Sequence, residues 1–452
     1  MRRPAPDARP VGLTIAGSDS GGGAGIQADL ATMAAHGVFG TSAITAVTAQ
    51  HTRGVESSHV LPLEEVEAQL SAVIDDFAVA GAKTGMLATP ELVRLVADRA
   101  PTFGFPLVVD PVMVATSGDR LLEPEAEAAY ADLLAEATIV TPNADEATVL
   151  TGVEIEDEAS ARAAGEAICE LGAEAALIKG GHVPGETVRD VLVTADDVRT
   201  FEHPRVDTDA THGSGCTLAA AIAARLARGA DLESAVEGAT DFLARAIRYP
   251  YDVGQGPGAV NHGVEIRNDA AREPTAEAVR SVVDALVEAD VSPLLPEVGT
   301  NVVGATPYAE SVAETAAVEG RITRTFSGVA PTRGVRFGAS SHVARFLLEA
   351  RECFPTLRFA VNYRFAGDVE EALETLGWDV AEDERPAEPE SVAEREGETM
   401  GWPARQGFAD RPEPPVAVVD RGDVGKEPTT KLLATDAETL TERTLELCDA
   451  LE

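Results

Sequence analysis

The chain has 452 residues, 44% of them hydrophobic, which is enough for two ordinary cores. It carries 76 acidic against 36 basic residues, a formal net charge of −40, so its surface repels nucleic acid and anionic membranes. No apolar run reaches the roughly 18 residues a spanning helix needs, and the four cysteines, widely spaced with no Cys-x-x-Cys pair, suggest neither a zinc site nor a disulfide framework.

Met1 to Pro10 is short and polar, with three arginines and no apolar signal core, so the reading is a cytoplasmic protein. From residue 11 to 265, short apolar runs alternate with amphipathic stretches. Val11–Ala16, Pro106–Val109, Thr138–Val140 and Ala175–Ile178 read as buried strands. Glu64–Phe77, Pro90–Arg99 and Ala159–Leu171 place apolar residues at helical spacing. The alternation predicts an α/β fold, a mostly parallel sheet covered on both faces, with ligands at the carboxyl ends of the strands. A Gly/Pro-rich stretch at Gly254–Gly258 precedes a charged segment, and a boundary near residue 267 divides domains 1–266 and 267–452. The second part again mixes helices and strands, as a smaller α/β domain. Its charged stretch at about 381–414 reads as a long surface loop or a disordered excursion. The acidity is spread over the helices from end to end, the pattern of a halophile's surface. Against it, the four lysines stand out: Lys83, Lys179, Lys426 and Lys431.

Two glycine-bearing loops carry the chemistry. In the first, the run Ala16-Gly17-Ser18-Asp19-Ser20-Gly21-Gly22-Gly23-Ala24-Gly25-Ile26-Gln27-Ala28-Asp29 follows the first strand. It can wrap a small ligand, with Asp29 available to a ring amine or hydroxyl. It lacks the Gly-Lys-Ser/Thr ending of a P-loop, so it is not assigned to ATP phosphates. In the second, Thr211-His212-Gly213-Ser214-Gly215-Cys216-Thr217 leads into the helical run Leu218–Arg228. Small residues at a helix start let backbone N–H groups and the helix dipole converge on an anion. A plain glycine-bearing N-cap has the same spelling.

Together these loops resemble the hydroxymethylpyrimidine and phosphomethylpyrimidine kinases of the ribokinase-like superfamily. The resemblance also rests on Ile44–Gln50, Lys83-Thr-Gly-Met86, Val109-Asp110-Pro-Val112, Ser117-Gly118-Asp119, Thr141-Pro-Asn143-Ala-Asp-Glu146 and Lys179-Gly-Gly-His182. It implies a ribokinase-like sheet and ATP with Mg²⁺ as cofactors. Gly17, Asp29, Gln50, Met86 and Val112 would contact the pyrimidine. Asp110 and Glu146 would organise the metal. Asn143, Lys179, Thr211 and Gly213 would meet the nucleotide, and Gly213, Ser214 and Gly215 would donate N–H groups to the transferred phosphoryl. Cys216 stands where most of the superfamily has an aspartate base. At a helix N-terminus a thiol pKa falls, so a thiolate base is expected, with a small packing residue as the alternative. Asp110 and Glu146 as helix caps, and Met86 as core, are the corresponding bland readings. His212 is read as orienting its loop. A pyridoxal kinase is the rival activity.

The second part is similar to the archaeal-type thiamine-phosphate synthase domain. The motifs are Val298-Gly-Thr-Asn301, Gly320-Arg321-Ile, Phe337-Gly-Ala-Ser340-Ser341-His342-Val-Ala-Arg345 and Asp420-Arg-Gly-Asp423-Val-Gly-Lys426. The resemblance implies condensation of a pyrimidine diphosphate with a thiazole phosphate. Arg321 and His342 would neutralise the departing pyrophosphate, while Asn301, Ser340, Ser341, Asp423 and Lys426 would hold substrate. A ligand-sensing regulatory domain is the alternative, though such sensors tend to lack the Arg/His pair. The implied partners are small molecules, and the implied assembly is a homo-oligomer, a dimer first.

Overall fold

A computed structural model describes residues 8–112, 127–382, 408, 411–422 and 427–451. By its internal contacts the chain divides into two compact units, Met1–Glu265 and Ile266–Glu452.

The first unit is built on nine strands: β1 (Val11–Ser18), β2 (Phe39–His51), β3 (Gly54–Val60), β4 (Val79–Thr84), β5 (Leu107–Val109), β6 (Ile139–Val140), β7 (Ala175–Ile178), β8 (Thr187–Thr194) and β9 (Val198–Pro204). Their order across the sheet is β3-β2-β1-β4-β5-β6-β7-β8-β9. The strands from β2 through β7 run parallel, while β3, β8 and β9 join as antiparallel edges. The central strands read as unbroken apolar runs because both faces are covered. Eight helices do the covering: α1 (Gly25–Ala35), α2 (Leu63–Asp76), α3 (Pro90–Arg99), α4 (Glu127–Leu134), α5 (Ala144–Thr151), α6 (Glu158–Glu170), α7 (Ser214–Ala227) and α8 (Leu232–Arg248). Helices α2 to α6 share one apolar cluster with the sheet. Helix α7 lies against β1, β4 and β5, with α1 and α8 at its sides.

Alanine decides how α7 sits. Its run from Thr217 to Ala224 is buried throughout, and its short side chains let it settle deeply onto the sheet. The approach is so close that a Cβ at Gly81 of β4 would lie 2.8 Å from the Ala223 carbonyl. This seating fixes the N-terminus of α7 at the carboxyl end of the parallel strands, where an α/β sheet binds ligands.

The second unit contains β10 (Val302–Ala305), β11 (Thr315–Val318), β12 (Ile322–Thr325), β13 (Gly328–Pro331), β14 (Val335–Phe337), β15 (Phe359–Arg364), β16 (Val380–Glu382), β17 (Ala417–Asp420) and β18 (Thr429–Ala434). Seven of these form a sheet in the order β14-β11-β10-β15-β18-β17-β16, and β12 pairs with β13 as a separate hairpin. Only β16 and β17 pair in parallel; the other pairs are antiparallel. The helices are α9 (Val264–Ala270), α10 (Arg272–Glu288), α11 (His342–Cys353), α12 (Gly367–Leu376) and α13 (Ala437–Asp449). Side chains of α10, α12 and α13 join one face of the sheet in a core. Helix α11 covers the other face. Most of the charged stretch at 381–414 lies outside the described residues. Phe408 within it is not a surface residue: it is buried, its ring 5.7 Å from that of Phe354.

Candidate functional site

In the first unit the carboxyl ends of β1, β2, β4, β5, β6 and β7 surround the first turn of α7. The two glycine loops, far apart in the chain, are pressed together here. Gly213 has φ +83°, and a Cβ on it would lie 1.8 Å from the Gly23 carbonyl. A Cβ at Gly25, with φ +58°, would lie 2.5 Å from the Gly17 carbonyl. Gly213 needs glycine for the contact between the loops and Gly25 for a close approach within the first loop, and both need it for their backbone conformation. Gly213 takes the N-cap place of α7 with no side-chain cap, so Ser214 and Gly215 open the helix. Thr211 receives the Ser214 N–H on its carbonyl at 3.1 Å, closing the turn into the helix.

Asp19 ties the loops. It is 2% exposed, and its Oδ1 accepts from Gly21 N at 2.8 Å. Its Oδ2 accepts from Gly23 N at 3.1 Å, Ala24 N at 2.8 Å and the His212 ring at 3.0 Å. Burial raises the pKa of this carboxyl, but the hydrogen bonds from His212, Gly21 and Ala24 outweigh it and hold the group below the ordinary carboxylate range. His212 therefore orients its loop through a carboxylate 193 residues away, a partner that local sequence does not announce.

Gln50, at the end of β2, lies within reach of this network. Its main chain exchanges two hydrogen bonds with the Ser20 hydroxyl, at 2.8 and 2.7 Å. Met86 packs onto β1, where a Cβ at Gly17 would meet its Cε at 2.3 Å, which explains a glycine there. Val112 is half-buried directly after β5, its N–H donating to the Asp110 carbonyl at 2.9 Å. Gln50, Met86, Gly17 and the glycine loops thus line one neighbourhood.

Asp29 departs from its expected part. It is fully enclosed, with Lys83 Nζ 3.0 and 3.1 Å from its two oxygens and the Thr14 hydroxyl donating at 2.6 Å. No face of it is open to a ring amine. Lys83, also fully enclosed, remains protonated: burial alone would lower its pKa, but the Asp29 carboxylate reverses the shift. Lys83 has no role implied by its motif, although it stands out as one of only four lysines in the chain.

The polar groups at β5 to β7 form a second cluster. Lys179 Nζ lies 3.1 Å from Asp110 Oδ1 and 3.7 Å from Glu146 Oε2. Burial works against its charge, but Asp110 and then Glu146 raise its pKa above the usual lysine value. Asn143 and Glu146 form a reciprocal capping box at the start of α5, with bonds of 2.9 and 2.8 Å. Glu146 is therefore both a cap and a carboxylate beside Lys179. Asn143→Ala is expected to destabilise this unit by about 1 kcal/mol, read as a lower midpoint in denaturant. Gly215 sits directly over the cluster: a Cβ there would be 3.4 Å from Lys179 Nζ and 3.6 Å from Asp110 Oδ2.

Whether this donor set suits Mg²⁺ depends on its chemistry. Among the described residues no three metal-ligating side chains gather in one place. Mg²⁺ keeps several waters and needs only one or two carboxylates beside substrate phosphates. Asp110 and Glu146, with a cationic lysine between them, fit that loose, phosphate-shared mode and not a closed cage. Ser117, Gly118 and Asp119 lie outside the described residues.

Cys216 occupies the third position of α7 and is half-buried. The expected fall in its pKa does not occur. Burial pushes the thiol up to about 11; Lys83 and an N–H from Gly25 oppose the shift, while Asp29 and Asp110 add to it. The helix N-terminus is outweighed by enclosure beside carboxylates.

In the second unit, Asn301 is 6% exposed and its side chain is engaged internally. Its Nδ2 donates to the Val318 and Gly320 carbonyls at 3.0 and 3.2 Å, and its Oδ1 accepts from Val318 N at 3.1 Å. It braces the turn that carries Arg321 and does not face a ligand. Arg321 is exposed, with Nη1 donating to the Gly299 carbonyl at 3.3 Å. His342 is an exposed residue that opens α11. Ser341 precedes it without a side-chain cap, and Ser340 is half-buried, so the first N–H groups of α11 are offered outward. Asp423 and Lys426 lie outside the described residues.

Comparisons with known proteins follow the two units. Residues 19–261 match the family described as phosphomethylpyrimidine kinase, and residues 278–446 match thiamine-phosphate synthase ThiN. A hydroxymethylpyrimidine/phosphomethylpyrimidine kinase of Haemophilus influenzae is 49% identical over 256 residues, covering 55% of this chain and 95% of that relative. The thiamine biosynthesis bifunctional protein ThiED of Geobacter sulfurreducens is 44% identical over 264 residues, 58% of this chain and 54% of that one. Among solved structures, an ADP complex of Bacillus subtilis pyridoxal kinase superposes with a TM-score of 0.54 at 35% identity, covering 57% of this chain and 98% of that one.

Proposed function

The chain belongs to the phosphomethylpyrimidine kinase family, and we propose that residues 1–266 phosphorylate 4-amino-5-hydroxymethyl-2-methylpyrimidine twice from ATP, while residues 267–452 join the resulting diphosphate to thiazole phosphate. It is a bifunctional enzyme of thiamine biosynthesis, a phosphotransferase and a thiamine-phosphate synthase. The observation that carries the kinase reading is the uncapped start of α7 standing over Lys179, Asp110 and Glu146 at the carboxyl edge of a parallel sheet.

Phosphoryl transfer needs positioning and charge neutralisation more than covalent chemistry. The N–H groups of Gly213 and Gly215 face the charge that develops on the transferred phosphoryl oxygens, whereas the expected third donor, Ser214 N–H, is turned to the Thr211 carbonyl and shapes the turn. Lys179, with Asn143 and Thr211 nearby, takes the nucleotide phosphates. Asp110 and Glu146 would hold Mg²⁺, which supplies neutralisation of phosphate charge. Gln50, Met86, Gly17 and Val112 hold the pyrimidine. Cys216 accepts the proton as the hydroxymethyl oxygen bonds to the γ-phosphorus and ADP departs. In the second round the attacking atom is an oxygen of the monophosphate.

In the synthase reaction the C–O bond to pyrophosphate breaks and the thiazole nitrogen bonds to the methylene carbon. Arg321, His342 and the open first turn of α11, with Ser340 and Ser341, are suited to the departing anion. Asp423 and Lys426 are assigned to the same substrate. Four free cysteines support a reducing, cytoplasmic setting. The net charge of −40 supports a salt-rich one. A homodimer is the assembly we favour, from the family resemblance.

The likeness to a pyridoxal kinase makes pyridoxal the competing acceptor. Competition kinetics with both acceptors decide between them. A higher kcat/KM for the aminopyrimidine supports the proposal, and a clear preference for pyridoxal overturns it.

A further inference from the structure

The Gln50 carboxamide lies between two hydrogen-bonding neighbours that dictate which way round it can sit. The terminal atom placed as Nε2 is 3.4 Å from His212 Nε2, and the one placed as Oε1 is 3.3 Å from Thr48 Oγ1; the bonding of both neighbours assigns the two atoms the other way round. Carboxamide oxygen and nitrogen have the same shape and are told apart by their partners.

On the first side, Asp19 is acceptor-only and already takes three backbone N–H groups. Its contact of 3.0 Å with His212 Nε2 therefore requires the hydrogen to be on Nε2, whether the ring is neutral or protonated. A nitrogen carrying that hydrogen cannot also accept one from an amide NH₂. The Gln50 atom facing His212 must be its oxygen. The ring lies close against the glycine loop, where a Cβ at Gly23 would be only 2.6 Å from His212 Cδ2, so a glycine is what leaves it room.

On the second side, Thr48 is 5% exposed and has one hydroxyl hydrogen, committed to the Ser18 carbonyl at 2.7 Å. Toward Gln50 its oxygen can only accept, so the atom facing it must be nitrogen. The two sides agree independently. With the amide reversed, both contacts would be mismatched.

We propose that Asp19–His212 on one side and Ser18–Thr48 on the other lock the Gln50 carboxamide in a single orientation, making it the reader of an acceptor and a donor side by side on the substrate ring. After the lock is satisfied, one amide hydrogen and one carbonyl lone pair remain. Those match a ring nitrogen flanked by an exocyclic amine, the edge of a 4-aminopyrimidine. This deepens the aminopyrimidine reading above and rests on it. Thr48 and His212 are positioning residues: they act through Gln50 and determine which acceptor the kinase prefers. A free amide would turn to suit other rings, whereas a locked one leaves a mismatched ring with unpaired polar groups.

The test uses the full chain and two acceptors, 4-amino-5-hydroxymethyl-2-methylpyrimidine and the analogue with hydrogen in place of the amino group. The readout is the ratio of their kcat/KM values. Thr48→Val keeps the side-chain shape but removes the acceptor on the nitrogen side. It is expected to reduce the ratio about tenfold, the scale of one neutral hydrogen bond, mainly through KM of the aminopyrimidine. Thr48→Ser restores the hydroxyl and is expected to restore the ratio. A Thr48→Val enzyme with an unchanged ratio, or with equal losses on both acceptors, overturns the lock and leaves Thr48 as a support for the Ser18 loop. Failure of the unsubstituted enzyme to phosphorylate the aminopyrimidine overturns the acceptor reading and the lock together, and shows itself before any variant is compared.

Discussion

Cys216→Ala is expected to lower kcat for pyrimidine phosphorylation by about 10²-fold, the lower end of what a positioned base contributes. The thiol is the one titratable side chain in the first turn of α7, between the donors for the phosphoryl group and the floor formed by Lys83 and Asp29. Burial and the neighbouring carboxylates push it up to about 11, so near neutrality the free enzyme holds a thiol. The sign of the pH dependence follows. Below about 11 the thiolate fraction grows about tenfold for each pH unit, so a rate limited by this base rises with pH across the neutral range. The alanine variant should lose that slope as well as the rate. Near-normal turnover with an unchanged profile would make Cys216 a small packing residue. A pH series of kcat on both proteins separates the two.

Asp29→Ala is expected to destabilise the first unit by about 3–5 kcal/mol, the cost of removing one partner from a buried ion pair. Both members are fully enclosed, and Thr14 adds a third tie, so β1, α1 and β4 are joined at one point beneath the site. Removal of the carboxylate strands the Lys83 ammonium away from water. The double replacement Asp29→Leu with Lys83→Met removes both charges and should recover most of the loss, because an apolar pair of similar volume avoids desolvation. Denaturant midpoints measured in molar salt read the effect. A change below about 1 kcal/mol, the worth of a surface pair, would mean that water reaches the ammonium.

Much of the architecture was legible because the central strands must be apolar on both faces. The run Ala175–Ile178 and the helical pattern Pro90–Arg99 coincide with β7 and α3. The antiparallel edge was not legible. Strands β3 and β9 are partly exposed and polar, as in Glu56-Ser57-Ser58 and Arg199–His203, and their pairing depends on neighbours rather than on local pattern.

The site divides in the same way. A motif announces that backbone donors meet at a helix start, as at Gly213 to Gly215. It does not announce which polar side chains face a ligand and which face each other. Asp29 and Asn301 have the residue types of ligand-binding groups, yet partners distant in sequence saturate them: Lys83 in one case, Val318 and Gly320 in the other. The thiol pKa failed for a related reason. The helix N-terminus is a local feature, whereas burial and the carboxylates of Asp29 on α1 and Asp110 after β5 outweigh it. Asp19 and Thr48 went unassigned because their meaning lies in bonds to His212 and to the Ser18 carbonyl, partners that only the folded chain brings near.

The two activities belong to one sequence of reactions, since the kinase product is the substrate the second domain requires. The most direct measurement is product analysis of the full chain with ATP, Mg²⁺, the aminopyrimidine and thiazole phosphate at high salt. Thiamine phosphate and pyrophosphate are the expected products, with the pyrimidine diphosphate as intermediate. Accumulation of the diphosphate without thiamine phosphate would contradict the synthase assignment and leave the second domain a sensor. Absence of any phosphorylated pyrimidine would contradict the kinase assignment itself.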